Sequence, residues 1–470
     1  MEKTELVLDT LMKKAREAQA KIENYTQAQI DEVCVAIGWE VYNDENIKQL
    51  ATLAVKDTHM GNVEDKIIKH KNKVLGVLKD VQGAKSVGLI ETDEEKKITK
   101  YAKPVGVVGA LTPVTNPTAT PASNAISILK GRNAVIFAPH PKSKNASKLA
   151  VDFMRKGLKR VGAPEDLIQI IEEPSVELTN RLMQEVDVVL ATGGGAMVKA
   201  AYSSGTPAYG VGPGNAVQIV AEDAHIDDVA DKVFMSKRFD YATSCSSENA
   251  LIIHESIYQD VIDAMVKRKS YFVKKDERKQ LEEYMWVVNK TGKRGINPKI
   301  IAQKAANIAK DAGLMVPEET EILLVEGHPE VENDFFSQEK LSPVLTLYRY
   351  HHFEDGYQLL KRITDHYGTG HSCGIHTFNQ EYIKQLGEGM KTSRIMVNQP
   401  QAAGNGGAFF NGMPSTVSLG CGTWGGNVTT ENITYKHFLN VTWVSEYFEP
   451  KRPSDESIFG DFLKKFGEQS

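Results

Sequence analysis

The chain has 470 residues, of which 25% are charged and 41% are hydrophobic, and its formal net charge at pH 7 is −5. This composition is typical of a globular protein with two or three domains, and the absence of a strongly basic balance argues against nucleic acid as a partner. No apolar run reaches the length of a membrane span, and the charged N-terminus lacks the apolar core of a secretory signal, so we expect no membrane partner.

The first half of the chain predicts helices followed by an alternating α/β region. Residues 5–58 read as helices, with Leu8, Leu11 and Met12 at helical spacing and Thr26 as an N-cap candidate. From residue 104, short apolar runs alternate with helical stretches, which predicts a parallel sheet that binds ligands beyond the carboxyl ends of its strands. The predicted strands are Val105–Leu111, Ala134–Ala138, Leu167–Ile171 and Val188–Ala191, and the predicted helices are 121–130, 143–160 and 175–185.

A second alternating region runs from Ala250 to about residue 400. It contains strand-like Leu251–Ile253 and Ile322–Val325 and a helical stretch at 257–268, so we predict a second α/β domain. The stretch 403–426 is rich in glycine, which is typical of a functional loop. The tail, 451–470, is polar, and we expect it to be peripheral.

Cys245 is the most informative single residue. Small hydroxyl residues flank its thiol, and it lies between a predicted helix at 227–238 and the strand that begins at Ala250, where we expect the mouth of a cleft. A thiolate is a strong nucleophile that can hold an acyl group as a thioester. The alternative is a buried structural cysteine. The four cysteines contain no Cys-x-x-Cys pair, which favours a reducing, cytoplasmic compartment and predicts neither disulfides nor a metal site.

Two loops that follow predicted strands carry further candidates. In the first, Asn116 lies between two stiffening prolines and could donate a hydrogen bond to a developing oxyanion; the alternative is a plain Asn-Pro turn. In the second, Gly193, Gly194 and Gly195 would let a cofactor approach the backbone, although a tight turn explains them equally well.

Two histidine-containing segments are also candidates. The strand 133–138 ends in His140, Pro141 and Lys142; no acid stands there to hold a ribose 2′-hydroxyl, and the lysine could meet a 2′-phosphate or simply begin a solvated helix. The other segment, Gly370–His376, places glycines around His371, as in a site loop, with a structural histidine as the alternative.

In this order, these segments resemble the aldehyde dehydrogenase superfamily, and in particular its CoA-acylating branch. The resemblance covers nearly the whole chain. The segments that carry it are Thr112–Pro117, Ala138–Lys142, Ala191–Gly195, Tyr209–Asn215, Cys245–Glu248, Gly370–His376 and Leu419–Trp424.

The resemblance implies an α/β fold with a Rossmann-like cofactor domain, an α/β catalytic domain and a small β oligomerisation element. We expect the cofactor domain at 1–240, with part of the C-terminal segment returning to it, the catalytic domain at 241–430, and an oligomerisation segment and tail at 431–470. A homodimer or homotetramer is expected.

The resemblance also assigns site residues. It implies Cys245 as nucleophile, Asn116 as oxyanion donor and His371 as a helper in acyl transfer, with the pKa of Cys245 lowered by nearby dipoles or by the cofactor. The cofactor is NADP or NAD, and coenzyme A is the co-substrate. The implied cofactor-binding residues are Thr112, Pro113, His140, Pro141, Lys142, Gly193, Gly194, Gly195, Gly212 and Glu339. Glu339 stands in Glu-Lys-Leu-Ser-Pro-Val, where the family has Glu-x-Phe-Gly-Pro-Val, so Leu341 and Ser342 depart from the pattern.

The lack of an acidic residue in one segment distinguishes two types of aldehyde oxidation. Hydrolytic members of the superfamily place a glutamate about thirty residues before the cysteine to activate water, but no Asp or Glu occurs here between Asp187 and Glu222. Without a general base, water is a poor nucleophile, whereas a thiol of pKa about 8.5 already holds some thiolate at neutral pH. We therefore expect an acyl-CoA product. The alternatives are a non-acylating enzyme that releases the free acid and a catalytically silent scaffold with the same fold.

The aldehyde is left open among acetaldehyde, succinate semialdehyde and sulfoacetaldehyde. An anionic aldehyde needs a cation or a cluster of donors near Cys245. The candidates are Arg394, Gln401 and Asn405, which border the glycine-rich stretch, although surface solvation is the expected role of Arg394.

Overall fold

The computed structural model describes residues 2–289 and 292–467, while Met1, residues 290–291 and residues 468–470 lie outside the described part. The helices are α1 (Glu2–Ile22), α2 (Gln27–Tyr42), α3 (Asp44–Thr58), α4 (Val63–Val81), α5 (Ala119–Lys130), α6 (Lys144–Arg160), α7 (Val176–Glu185), α8 (Gly195–Tyr202), α9 (Ile226–Arg238), α10 (Tyr258–Lys267), α11 (Lys275–Met285), α12 (Ala305–Asp311), α13 (Phe353–His366), α14 (Gln380–Gly389), α15 (Gln401–Gly404) and α16 (Asp455–Phe466). None of these helices is long and apolar enough to cross a membrane.

The strands form two parallel sheets and two small antiparallel ones. The strands are β1 (Gly88–Asp93), β2 (Ile98–Pro104), β3 (Val107–Thr112), β4 (Ala134–Pro139), β5 (Ile168–Ile170), β6 (Val188–Thr192), β7 (Ala208–Val211), β8 (Ala216–Val220), β9 (Glu248–His254), β10 (Ser270–Phe272), β11 (Trp286–Val288), β12 (Arg294–Ile296), β13 (Ile322–Glu326), β14 (Val344–Tyr350), β15 (Cys373–His376), β16 (Ile395–Val397) and β17 (Leu439–Ser445).

The first parallel sheet has the strand order β5-β4-β3-β6-β7. Its central strands are continuous apolar runs that are buried on both faces, because α5 and α6 cover one face and α1 and α7 cover the other. The strand order reverses between β3 and β6, which makes that point the crevice where α/β sheets bind ligands. The expected Rossmann-like domain is confirmed, and Thr26 caps α2 by accepting a hydrogen bond from the Gln29 amide.

The second parallel sheet has the order β10-β13-β14-β9-β8-β15-β16. It includes β8, which pairs with β9 and β15, so the chain enters this sheet before the boundary that the sequence predicts at residue 240. The segments that precede β8, β9, β14, β15 and β16 all lie at the amino edge of this sheet, because every strand runs in the same direction. The carboxyl edge of the first sheet and the amino edge of the second sheet line one cavity.

A three-stranded antiparallel sheet, β1-β2-β17, carries the returning C-terminal segment. Apolar side chains on β17 are exposed, among them Trp443 at 60%. The described part of the tail, which the sequence predicts to be polar and peripheral, contains α16, an amphipathic helix whose Ile458, Phe459 and Phe462 are more than half exposed.

Candidate active site

The cavity between the two sheet edges has a volume of about 1290 Å³. Its wall includes eleven of the predicted site residues: Thr112, Pro113, Asn116, His140, Gly193, Gly194, Gly212, Cys245, Glu339, His371 and Arg394. The predicted residues outside this wall are Pro141, Lys142, Gly195, Gln401 and Asn405. A cavity of this size exceeds the usual range for one small ligand, about 300–1,000 Å³.

Cys245 and His371 meet at the centre of the cavity. The Sγ atom of Cys245 lies 3.3 Å from Nε2 of His371, and Nδ1 of His371 lies 2.8 Å from Oγ of Ser372. Cys245 precedes β9 and His371 precedes β15, so the amino edge of the second sheet presents both side chains. If Nδ1 donates to Ser372, Nε2 is left as an acceptor for the thiol proton.

The electrostatics of this pair differ from the sequence-based expectation. Burial, and then the Glu339 carboxylate, raise the pKa of Cys245 to about 12, so the expected lowering by nearby dipoles is wrong in the absence of a cofactor. Burial, and then the Arg394 guanidinium, lower the pKa of His371 to about 3. At neutral pH the pair is therefore a neutral thiol beside a neutral imidazole, whose Nε2 can accept a hydrogen bond from the thiol.

Gly214 makes room for this pair. A Cβ atom at Gly214 would lie 2.7 Å from the Cys245 carbonyl oxygen and 2.7 Å from Cγ of His371, closer than side-chain carbons approach such atoms. Gly214 belongs to the segment in which hydrolytic enzymes carry their glutamate, as the resemblance implies. The imidazole of His371 lies where a side chain on residue 214 would begin, so this position must be glycine for His371 to stand beside Cys245.

A strained turn leads into Cys245. Asp240, Tyr241 and Ala242 all have left-handed backbone angles, with φ of 48°, 52° and 56°. Such a conformation costs about 1–2 kcal/mol for each residue other than glycine, so surrounding contacts must hold it. The Asp240 side chain supplies them: it is fully buried and accepts hydrogen bonds from Lys66, Lys69 and the Asn62 amide. Although burial alone would raise the pKa of Asp240, the Lys69 and Lys66 ammonium groups hold it below its ordinary value.

Asn116 is connected to this turn through Lys69. Nζ of Lys69 lies 3.0 Å from Oδ1 of Asn116, 2.6 Å from Oδ2 of Asp240 and 2.7 Å from Oγ1 of Thr243. The predictions from sequence omitted α4 and so missed this lysine. A signal was available: Lys66, Lys69 and Lys73 recur at i, i+3 and i+7, which places three cations on one helix face.

The cofactor side of the cavity lies at the crevice of the first sheet. Thr112, His140 and Gly193 stand at the carboxyl ends of the adjacent strands β3, β4 and β6, or just beyond them. A Cβ atom at Gly194 or Gly212 would meet nothing within 4 Å, so the backbone there is open to a ligand. The buried oxygens Thr112 Oγ1 and Glu339 Oε1 have no hydrogen-bond partner in the described residues.

These features fit a dinucleotide. Orphaned buried oxygens are rare in proteins, and the Glu339 carboxyl group would be satisfied by a ribose hydroxyl. Burial raises the pKa of Glu339 to about 8. Lys142 is exposed beyond this end of the cavity, and its backbone N–H donates to Nδ1 of His140 at 3.1 Å.

The predicted substrate residues occupy different positions. Gln401 and Asn405 are fully buried and bond to each other, with Nδ2 of Asn405 3.0 Å from Oε1 of Gln401. The expectation that Arg394 is a solvated surface residue is wrong, because it is 4% exposed. Its guanidinium donates to the carbonyl oxygens of His371 and Gly420 and so fixes the loop behind the imidazole.

Lys73 is a cation on the wall that sequence reasoning missed. In the described part of the chain its ammonium takes part in no ion pair and donates to the carbonyl oxygens of Gly406, at 2.7 Å, and Gly407, at 3.5 Å. Burial, and then the Lys69 ammonium, lower the pKa of Lys73 to about 8, while the Asp80 carboxylate and, when ionised, the Cys245 thiolate act to raise it. Lys73 therefore lies within electrostatic reach of the thiol.

Comparison with known proteins places the chain among aldehyde dehydrogenases. Residues 2–437 match the model of the aldehyde dehydrogenase family. The chain is 72% identical over 454 residues to a sulfoacetaldehyde dehydrogenase of an Acholeplasma species, which covers 97% of this chain and 94% of that protein. It is 57% identical to an acylating sulfoacetaldehyde dehydrogenase of Bilophila wadsworthia, over 97% of this chain and 98% of the relative.

A solved structure is similar over almost its whole length. The crystal structure of an acetylating aldehyde dehydrogenase from Geobacillus thermoglucosidasius superimposes with a TM-score of 0.92 at 34% identity. The match covers 96% of this chain and 99% of that one.

The neutral pair predicts a steep pH dependence for thiol alkylation in the enzyme without cofactor. Because the pKa of Cys245 is near 12, only a small fraction of the thiol is ionised between pH 7 and pH 9, and this fraction rises about tenfold per pH unit. Iodoacetamide should therefore label Cys245 about tenfold faster per pH unit over this range. Mass spectrometry of the labelled peptide measures the rate, with Cys245→Ala as the blank. A rate that levels off near pH 7 would show an ionised pair.

Proposed function

Because the chain belongs to the aldehyde dehydrogenase family, we propose that it converts sulfoacetaldehyde, CoA and NAD(P)⁺ into sulfoacetyl-CoA, NAD(P)H and a proton. The broader activity follows from the comparisons: the chain is an NAD(P)-dependent, CoA-acylating aldehyde dehydrogenase. The aldehyde, the residue roles and the cofactor preference are our proposals. The observation that carries the residue roles is the 3.3 Å contact between Cys245 and His371 in the cavity.

The first half of the reaction builds a thioester on Cys245. The sulfur attacks the aldehyde carbon while His371 Nε2 takes the thiol proton. The carbonyl oxygen, now an oxyanion, accepts hydrogen bonds from the Asn116 amide and the Cys245 backbone N–H. A nicotinamide cofactor held beside Cys245 would supply the acceptor for the hydride that leaves the carbon. Glu339 and the loops after β3 and β6 would hold the cofactor for that transfer.

The second half transfers the acyl group to CoA. His371 first releases the proton that it took from Cys245 to solvent, and this is the proton of the overall reaction. The CoA thiol then gives its proton to His371, attacks the thioester carbon and displaces the Cys245 sulfur, which takes the proton back from His371 and restores the resting pair. Water is a weak competitor because no Asp or Glu occurs between Asp187 and Glu222, where hydrolytic enzymes carry the glutamate that activates water. The absence of that general base disfavours the alternative of a non-acylating enzyme.

Lys73 supports an anionic aldehyde. A sulfonate is always ionised, so a site that binds it away from water needs a cation or several donors. Lys69 is bound to Asp240, and Arg394 is bound to main-chain carbonyls, whereas Lys73 forms no ion pair within the described residues and interacts electrostatically with Cys245 as well as with Asp80. We assign the sulfonate to Lys73.

The cofactor end of the site supports acceptance of NADP. No acid follows β4 to bind a ribose 2′-hydroxyl, and the ammonium of Lys142 is exposed there. We therefore propose that NADP is accepted at least as well as NAD.

We also propose that the chain assembles into a homodimer or homotetramer through the exposed apolar face of β17, because exposed apolar patches mark contact sites. The four cysteines are unpaired, which supports a cytoplasmic location.

The proposed reaction requires CoA. Purified protein with sulfoacetaldehyde and NAD(P)⁺ should form NAD(P)H at a sustained rate when CoA is present and only about one equivalent per site when it is absent, since the thioester then stays on Cys245. Absorbance at 340 nm and mass spectrometry of the products measure this. Cys245→Ala should abolish both the burst and the turnover. Sustained formation of free sulfoacetate without CoA would establish the hydrolytic alternative.

Loss of the Lys73 charge should weaken the binding of the anionic aldehyde and leave the binding of a neutral aldehyde nearly unchanged. We expect Lys73→Met to raise KM for sulfoacetaldehyde about 10–100-fold, because a charge-assisted hydrogen bond is lost, and to leave KM for acetaldehyde and CoA within about threefold. In the native enzyme, KM for sulfoacetaldehyde should rise as the pH passes 8 and Lys73 loses its proton. Lys48→Met, at an exposed lysine on α3 outside the cavity wall, is the control. Equal losses for both aldehydes would remove Lys73 from sulfonate recognition.

Charge reversal at Lys142 should separate the two cofactors. Lys142→Glu should raise KM for NADP about tenfold more than KM for NAD, because a carboxylate repels the 2′-phosphate and can accept from a free 2′-hydroxyl. Initial-rate kinetics with each cofactor measure the ratio. Lys159→Glu, an exposed change at the far end of α6, controls for net charge. An equal effect on both cofactors would contradict a 2′-phosphate contact.

A further inference from the structure

Lys69 makes three contacts with its three N–H groups. Its ammonium reaches Asn116 Oδ1, Asp240 Oδ2 and Thr243 Oγ1 at 3.0, 2.6 and 2.7 Å, and its side chain is 12% exposed. A lysine ammonium has three donors and no acceptor, so these contacts use its full capacity. The same nitrogen therefore holds the loop after β3 and the turn that leads into Cys245.

The chemistry of an ammonium group fixes the orientation of the Asn116 amide. The oxygen and nitrogen of an asparagine side chain have nearly the same shape, so either could face a neighbour. An ammonium group only donates, so the atom that faces Lys69 must be the oxygen. Nδ2, with its two N–H groups, then points away from Lys69. Asn116 and Cys245 both line the cavity, which is where an aldehyde oxygen would need a donor.

We propose that Lys69 is a positioning residue that holds Asn116 with its Nδ2–H groups directed at the aldehyde oxygen. The inference rests on the proposed function, in which Asn116 stabilises the oxyanion. Lys69 itself touches neither the substrate nor the sulfur. Without it, the amide can rotate and present its oxygen, which would repel the oxyanion instead of stabilising it.

Lys66 provides a matched control. It stands three residues earlier on α4 and its ammonium also contacts Oδ2 of Asp240, at 3.1 Å. Its other contact is the Thr115 carbonyl oxygen, at 3.4 Å, and it makes none with the Asn116 side chain. Lys66→Met and Lys69→Met each remove one positive charge from the same carboxylate, but only Lys69→Met releases the amide.

The experiment compares Lys66→Met, Lys69→Met, Asn116→Ala and the double variant Lys69→Met/Asn116→Ala. Steady-state kinetics give kcat and KM for the cofactor, and thermal unfolding gives Tm. We expect Asn116→Ala to lower kcat about 10²–10³-fold and Lys69→Met to lower it about 10–10²-fold, both with little change in KM for the cofactor. Lys66→Met reports the effect of weakening the Asp240 turn alone, and its loss in kcat should be at least fivefold smaller than that of Lys69→Met. The double variant should fall below Asn116→Ala by no more than the loss seen in Lys66→Met, because the rest of the Lys69 effect acts through the amide.

A further variant tests the orientation without removing the lysine. Asn116→Asp keeps an acceptor for Lys69 but replaces the donor that faces the aldehyde by a second acceptor. It should lose at least as much kcat as Asn116→Ala while its Tm is kept or raised. An active Asn116→Asp enzyme would overturn the proposal, and so would equal kcat losses in Lys66→Met and Lys69→Met or multiplying losses in the double variant.

The oxyanion role of Asn116 and the positioning role of Lys69 can be disproved separately. If Asn116→Ala has full activity while wild type forms acyl-CoA, the oxyanion role of Asn116 fails and Lys69 has nothing to position. If Asn116→Ala is impaired and Lys69→Met is not, only the positioning role fails.

Discussion

The buried carboxylate of Asp240 is the contact on which the site depends. It connects α4, through Lys66 and Lys69, to the left-handed turn before Cys245. Breaking a buried ion pair from one side costs about 3–5 kcal/mol, because the partner charge is left without compensation. That is comparable with the strain of three left-handed residues at about 1–2 kcal/mol each, so the ion pairs are strong enough to hold the turn. The position of the sulfur thus depends on a helix about 175 residues earlier in the chain.

The carboxyl edge of the first sheet faces the amino edge of the second sheet across one cavity. In the proposed function, this arrangement brings a dinucleotide and the Cys245 thiol together. The first sheet contributes the carboxyl ends of its strands, where open backbone and orphaned oxygens suit a cofactor. The second sheet contributes amino ends, so the reactive side chains come from the loops before β9 and β15. Both sheet edges line one cavity, so in the proposed reaction a carbon bound to the sulfur would face the cofactor crevice.

The sequence predicted the fold well where its signals are local. The predicted apolar runs of the first sheet begin and end within two residues of the observed strands, and Thr26 caps its helix as predicted. Both predictions depend on residues that are close together in the sequence: a continuous apolar run for a strand buried on both faces, and a single polar residue for a cap. Eleven of the sixteen predicted site residues also lie on the wall of one cavity. The pKa of Cys245 and the burial of Arg394 could not be predicted, since both depend on which distant segments pack around them. Lys69 and Lys73 were missed because charged residues on a helix usually face solvent.

The resting state of the sulfur has a consequence for the life of the protein in a cell. Peroxides attack thiolates far faster than thiols, and a cysteine of high pKa is therefore slow to become sulfenic acid. With Cys245 protonated beside an uncharged His371, the resting enzyme should tolerate oxidative stress. Its reactive thiolate would exist only during turnover, when an aldehyde competes with the oxidant for the same sulfur.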